Sequence, residues 1–249
     1  MTDNAFTRTE MLIGKEAMQN IRQSTVMIVG LGAVGGYVLE ILARAGIENF
    51  ILIDFDEFEL SNLNRQILAT QSTIGMKKTD AAIQRINAIN PSAKITALDM
   101  FVNSQTIPQI IEYKPDIIID AIDALNPKCD LLQACSENNI FCISSMGAAL
   151  KTDISKIKYG KLSDTKNCAL AKFVRKRLKH RNIDIKKINC VFSDEQKQNL
   201  PTSINKNSPN DTSIIGRHRN IIGSLPSITA AFGINIAHQT IFYLISEKK

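Results

Sequence analysis

IVGLGAVGG, residues 28–36, decides how this chain is read. Gly30, Gly32 and Gly35 fit the spacing G-x-G-x-x-G, after a β-branched apolar run that starts at Val26 and before a helix-like stretch. In that pattern the first glycine permits a tight turn. The second lets backbone N–H groups approach phosphate, and the third lets helix and strand pack closely. Asp54 lies 19 residues past Gly35, at the end of the next apolar run, where a carboxylate can accept a ribose hydroxyl. These features point to a nucleotide. They leave a redox dinucleotide and ATP both open.

Outward from the glycines, apolar strands and amphipathic helices alternate. VMIVG (26–30) and FILID (50–54) read as buried strands, with a helix over 33–45 between them. A helix over 79–90 stops at Pro91. Strands are expected at 94–102, 116–123 and 140–147, with helices at 104–113 and 126–139, and one further helix before the glycines at 8–23. Alternation of this kind predicts βαβ units, so the fold class is α/β: a Rossmann-like, mostly parallel sheet with flanking helices. Its ligands sit beyond the carboxyl ends of the strands. Residues 1–150 form the nucleotide-binding core. Residues 151–249 form a substrate-binding extension of the same domain: late strands at 154–160 and 188–193, a basic helix between them, a turn-rich loop at 195–220 expected to be mobile, and an apolar helix at 225–245.

The stretch DFDEFELSNLNRQ, residues 54–66, favours ATP over a nicotinamide. Hydride transfer gives no reason to place Asn62, Asn64 and Arg65 beside the phosphates. Nucleotidyl transfer does, because charge develops on the α-phosphate and the leaving pyrophosphate, and a guanidinium meets it with forked donors. Lys78 opens the following helix as a point charge. Asp123, read as the end of the fourth strand, can hold Mg²⁺ together with phosphate oxygens.

Gly30-x-Gly32-x-x-Gly35, Asp54-x-Asp56, Ser61-Asn62-Leu63-Asn64-Arg65-Gln66, Gly75-x-x-Lys78 and Asp120-x-x-Asp123 together resemble the ThiF/MoeB/HesA superfamily, bacterial relatives of ubiquitin-activating enzymes. The resemblance covers residues 6–150 and implies binding of ATP and Mg²⁺ and adenylation of a carboxylate. It implies that Asp54, with Asp56 beside it, serves the ribose end of the nucleotide, that Asn62, Arg65 and Lys78 hold the phosphates, and that Asp123 serves the metal and the transition state. It also implies that Arg8 reaches the ATP of a partner subunit, which requires a homodimer.

The second half selects the carboxylate. Members of the superfamily that charge small sulfur-carrier proteins often carry two CxxC zinc pairs, and this chain has none. SSMGA (144–148), CALAKFVRKRLK (168–179), NCVFSDE (189–195) and TAAFG (229–233) resemble instead the branch that closes the threonylcarbamoyl side chain of tRNA adenosine 37 into a cyclic form. That resemblance implies tRNA as the partner and leaves room for a monovalent cation, Na⁺ or K⁺, and for a protein of a sulfur-acceptor or desulfurase system. The alternative is an adenylyltransferase for the C-terminal Gly-Gly of a ubiquitin-like carrier.

Charge and composition fit this picture. The net charge of +6 is concentrated in AKFVRKRLKHRNIDIKK, residues 171–187. Lys172, Arg175, Lys176, Arg177 and Lys179 in this stretch are candidates for tRNA phosphates, with a solvated helix face as the competing reading. Five widely spaced cysteines form no CxxC pair and are expected to be reduced thiols. Cyclisation needs no enzyme nucleophile, so Cys168 and Cys190 are read as buried small hydrophobes. The polar N-terminus lacks an apolar signal core, and the C-terminal apolar stretch contains Pro226, Asn235, His238 and Gln239, each costly in lipid. A cytoplasmic protein without stable membrane association is expected.

Overall fold

A computed structural model of the chain describes residues 4–196 and 222–246. Helices α1 (Thr7–Ile13) and α2 (Lys15–Gln23) precede strand β1 (Thr25–Val29). The sequence pattern predicts one helix there. Gly14 breaks it in two, with φ +88°, a left-handed conformation that side chains rarely adopt. Then follow α3 (Gly35–Ala45), β2 (Asn49–Asp54), α4 (Lys78–Ile89), β3 (Lys94–Asp99), α5 (Ile107–Glu112), β4 (Ile117–Asp120), α6 (Leu125–Glu137) and β5 (Cys142–Ser145). The second half adds β6 (Ile157–Lys161), α7 (Ala169–His180), β7 (Asn189–Ser193) and α8 (Pro226–Ser246).

The seven strands form one sheet in the order β3-β2-β1-β4-β5-β7-β6. Every neighbouring pair is parallel except β6 and β7. Strand β7 joins the sheet beside β5, so the late strands extend the same layer. The chain reverses its direction of travel across the sheet between β1 and β4, and the gap beyond their carboxyl ends is where such sheets bind nucleotides.

Both faces of the sheet are covered, which is why its strands read as unbroken apolar runs. Along β1, Val26 and Ile28 point into one core with Val38 and Leu42 of α3, Ala82 of α4, and Ile228 and Phe232 of α8. Met27 and Val29 point into the other, with Ile110 of α5, Leu131 of α6 and Val174 of α7. Each such buried Val, Ile, Leu, Met or Phe side chain contributes about 1.5–3 kcal/mol.

Helix α8 is long and apolar enough to cross a membrane by length and composition. In the fold it lies along α2 and α3 and over the β5–β7 end of the sheet. Gly233 makes the close approach possible: a Cβ there would lie 2.6 Å from Tyr37 Cβ and 2.7 Å from the Val34 carbonyl. Most of the loop expected at 195–220 falls outside the described residues. Glu195, at its start, lies in irregular backbone but is held in place. It is buried, and its carboxylate accepts the N–H groups of Thr152 and Asp153 at 2.9 and 3.0 Å.

Candidate active site

The three glycines do different things. Gly30 has φ +94°, and a Cβ on it would come within 2.9 Å of the Ala121 carbonyl, just past β4. A Cβ on Gly35 would sit 1.8 Å from the Gly30 carbonyl. These two glycines let the turn, α3 and the end of β4 close on one another. Gly32 has room, with no heavy atom nearer than 3.9 Å to a Cβ except its chain neighbours. That is the position where a phosphate can approach the backbone.

Asp54 ends β2 beside this turn. Its Oδ2 accepts the N–H of Leu31 at 2.6 Å, and its Oδ1 accepts that of Asp56 at 2.9 Å. Burial pushes its carboxyl above the ordinary carboxylate range, opposed by the Lys78 ammonium and the two N–H groups. Asp54 therefore clamps the glycine turn to the β2 end. Each carboxylate oxygen has a second lone-pair direction for a ligand hydroxyl.

Lys78 opens α4 with its side chain buried, and its Nζ lies 2.8 Å from Asp56 Oδ2. Asp56 is half exposed, so a phosphate can replace or join it as the counter-charge. Asn62 is buried in a 3-10 turn over Leu60–Asn62. Its Oδ1 accepts the Glu59 N–H at 3.2 Å, and its carbonyl accepts the N–H groups of Arg65 and Gln66. In this geometry Asn62 shapes the loop that presents Arg65. The Arg65 guanidinium donates to the Ser61 carbonyl at 2.9 Å and to Asn64 Oδ1 at 2.7 Å, and forms no ion pair among the described residues. It is a half-exposed cation available to an anion.

Asp123 does not end β4, as the sequence pattern predicts. Asp120 does, and Asp123 stands exposed in the four-residue connection to α6. That connection is held by a cluster that sequence reading missed. Asp120 Oδ2 lies 2.6 Å from Lys128 Nζ and 2.6 Å from Ser144 Oγ, and its Oδ1 accepts the Ile122 N–H at 3.1 Å. Asp120, Lys128 and Ser144 are all fully buried. The signal was a lone lysine on the apolar face of NPKCDLL, eight residues past Asp120.

No group of three or more His, Cys, Asp or Glu among the described residues is placed to hold a metal ion. A single exposed carboxylate such as Asp123 suits Mg²⁺, which is commonly bound through one or two carboxylates plus substrate phosphates.

Arg8 is exposed on α1 and forms no hydrogen bond or ion pair among the described residues. On α7, Lys172, Lys176 and Lys179 are exposed. Arg175 and Arg177 are half-buried and engaged with neighbouring elements. Arg175 donates to the Thr165 carbonyl at 2.7 Å and to its hydroxyl, and Arg177 donates to Asn126 Oδ1. Cys190 is fully buried, and burial pushes its thiol up to about 12. It is no nucleophile at neutral pH. Cys168 is also buried, and its Sγ accepts the Ala171 N–H at the start of α7.

The model of the ThiF family matches residues 6–249. This chain belongs to the ThiF family. Over 232 residues it is 36% identical to the tRNA threonylcarbamoyladenosine dehydratase of Bacillus subtilis, spanning 93% of this chain and 89% of that protein. The crystal structure of the corresponding Escherichia coli enzyme in complex with AMP superposes with a TM-score of 0.86 at 29% identity, covering 98% of this chain and 95% of that one. The same enzyme in complex with ATP gives 0.86 as well. The molybdopterin-synthase adenylyltransferase of Escherichia coli, 31% identical over 146 residues, matches 59% of this chain. The fold is thus that of a ThiF-family protein over its whole described length, with the glycine turn and the Arg65 loop beyond the carboxyl ends of the strands.

Proposed function

We propose that this chain is an ATP-dependent dehydratase acting on the threonylcarbamoyladenosine of tRNA position 37. One observation carries the reading: the likeness to the named dehydratases runs through both halves, whereas the likeness to the carrier-activating adenylyltransferase spans little more than one half. The second half is where substrates are told apart.

The chemistry follows from the site. The substrate carboxylate attacks the α-phosphorus of ATP, forming an acyl-adenylate and releasing pyrophosphate. An atom of the substrate's own carbamoyl group then attacks the activated carbonyl, closes the ring and expels AMP, while the carbamoyl N–H gives up its proton to solvent. Arg65 and Lys78 meet the charge that grows on the phosphates. Backbone N–H groups around Gly32 cradle them, and Asp54 takes the ribose. Mg²⁺ held by Asp123 and the phosphates would add charge neutralisation. The buried thiols play no part.

Arg8 is read as acting in the site of a second subunit. Its helix also exposes Met11 and Leu12, and α8 exposes Ile234 and Phe242; apolar surface of this kind supports a homodimer. A bound Na⁺ or K⁺, and help from a sulfur-acceptor or desulfurase system, belong to this reading through family resemblance, as does a cytoplasmic site of action.

The deciding test is mass spectrometry of tRNA nucleosides after incubation with the protein, ATP and Mg²⁺. Conversion of threonylcarbamoyladenosine to a product lighter by one water is the expected result. Pyrophosphate exchange that depends on a Gly-Gly-ended protein and ignores tRNA would replace this reading.

A further inference from the structure

Phe173 is exposed to 54% in the middle of the basic helix α7. Spaced three, four and seven residues from it are Lys176, Arg177 and His180, which share its helical face. With Leu125 and Arg181 they line a depression of about 410 Å³ between α7 and the start of α6. That volume lies within the roughly 300–1,000 Å³ range of small-ligand sites. Leu125 is two residues past Asp123, so the depression opens beside the connection assigned to ATP chemistry.

We propose that this depression holds an unstacked nucleotide of the tRNA substrate, its base lying on the Phe173 ring and its phosphates on Lys176 and neighbouring cations. The inference rests on the tRNA reading above and adds to it a stacking platform and the class of nucleotide bound. A phenyl ring standing in water among cations has one natural complement: a ligand with a flat apolar face and a negative backbone. Single-stranded nucleic acid has both. Stacking on an aromatic side chain is favourable whatever the base, because every base has a π-face.

The cations divide by availability. Lys176 is exposed and has no partner among the described residues. Arg181 is paired with Asp130 at 2.7 Å, and Arg177 donates to Asn126. Lys176 is therefore the point charge for phosphate, and the two arginines form the wall of the depression. Duplex tRNA cannot offer a base face here, whereas the anticodon loop that carries adenosine 37 can.

The chain contains no tryptophan, so Phe173→Trp installs a single indole at this position. With full-length protein and tRNA bearing threonylcarbamoyladenosine, Phe173→Trp should bind as wild type does, and its emission should be quenched by the stacked base. Phe173→Ala should weaken binding roughly fivefold to a hundredfold with the salt dependence unchanged. Lys176→Ala should instead make the salt slope shallower by about 0.7, one single-strand phosphate contact. Wild-type binding with an unquenched indole and no loss in Phe173→Ala would overturn the platform while leaving the dehydratase reading intact. A wild-type protein that binds no tRNA would overturn both. A circular dichroism spectrum matching wild type excludes misfolding as the cause of any loss.

Discussion

Lys128 Nζ lies 2.6 Å from Asp120 Oδ2, and neither side chain is exposed to solvent. Ser144 Oγ completes the arrangement, 2.6 Å from that same oxygen and 3.1 Å from the ammonium. Three elements, β4, α6 and β5, thus meet in one buried polar cluster directly beneath the connection that carries Asp123.

Removing one partner of such a pair leaves a buried charge without compensation. Lys128→Met should cost about 3–5 kcal/mol of stability, read by denaturant unfolding. The double variant Asp120→Asn with Lys128→Met should recover much of that loss, because no lone charge remains. Both should lower ATP turnover, since Asp120 also fixes the Ile122 N–H next to Asp123. A single variant as stable as wild type would mean that the pair does not hold the connection.

Gly32 and Gly35 should fail in different ways. Gly35→Ala drives a methyl to 1.8 Å from a backbone carbonyl and should unfold or strongly destabilise the protein. Gly32→Ala meets nothing closer than 3.9 Å and should keep the melting temperature within a few degrees. It should nonetheless weaken ATP binding by about tenfold or more, if the phosphates lie against that backbone. Calorimetry for stability and an ATP titration separate the two effects.

How far the sequence carries depends on how local the determinants are. The central strands are legible because parallel strands covered on both faces must be apolar throughout, as in VMIVG. The glycine spacing, Asp54 and Lys78 are legible because each sits at a strand end or helix start fixed by its neighbours, and Arg65 is legible through the SNLNRQ motif in the loop between them. Lys128 is not, because its meaning lies in Asp120 and Ser144, which only the folded sheet brings together. Likewise nothing in AKFVRKRLK says that Arg175 and Arg177 are already engaged, since Thr165 and Asn126 reach them from other elements. The break at Gly14 leaves the periodicity of 8–23 undisturbed and so is invisible to it.

Cys190 tests the division between tRNA and carrier chemistry. Its thiol, pushed up to about 12 by burial, stays protonated at pH 8. Cys190→Ala should therefore retain full turnover while losing about 1 kcal/mol from the small void created. In the native protein the thiol should resist iodoacetamide. Loss of turnover without loss of fold would point to covalent transfer through this cysteine.

Glu40 predicts how acid acts on the fold. Burial alone would raise its carboxyl, but the hydrogen bonds from Arg85 and Arg44 outweigh this and hold it below its ordinary value near 4.5. Arg85 donates to it at 2.7 and 2.8 Å across α3 and α4. A lowered value means that the unfolded chain binds the proton first. Its contribution is therefore fully present above about pH 5 and is lost as pH falls through the folded value. Both arginines are about half exposed, so screening limits the effect to about 1–2 kcal/mol. Stability curves of wild type and Glu40→Gln should differ by that amount at pH 7 and converge as the pH falls below the folded value.

Arg65 offers the sharpest test of the chemistry, because its present contacts do little for the fold. Its guanidinium touches only the Ser61 carbonyl and Asn64 of its own loop among the described residues. Arg65→Ala should leave the melting temperature nearly unchanged. If the side chain faces charge that grows only in the transition state, kcat should fall by roughly 2–4 kcal/mol in barrier, with the KM for ATP changing far less. Arg65→Lys restores charge without the fork and should recover only part of that rate. Equal losses in ATP affinity and rate would instead place Arg65 on the ground-state nucleotide. An unaltered rate would remove it from the site.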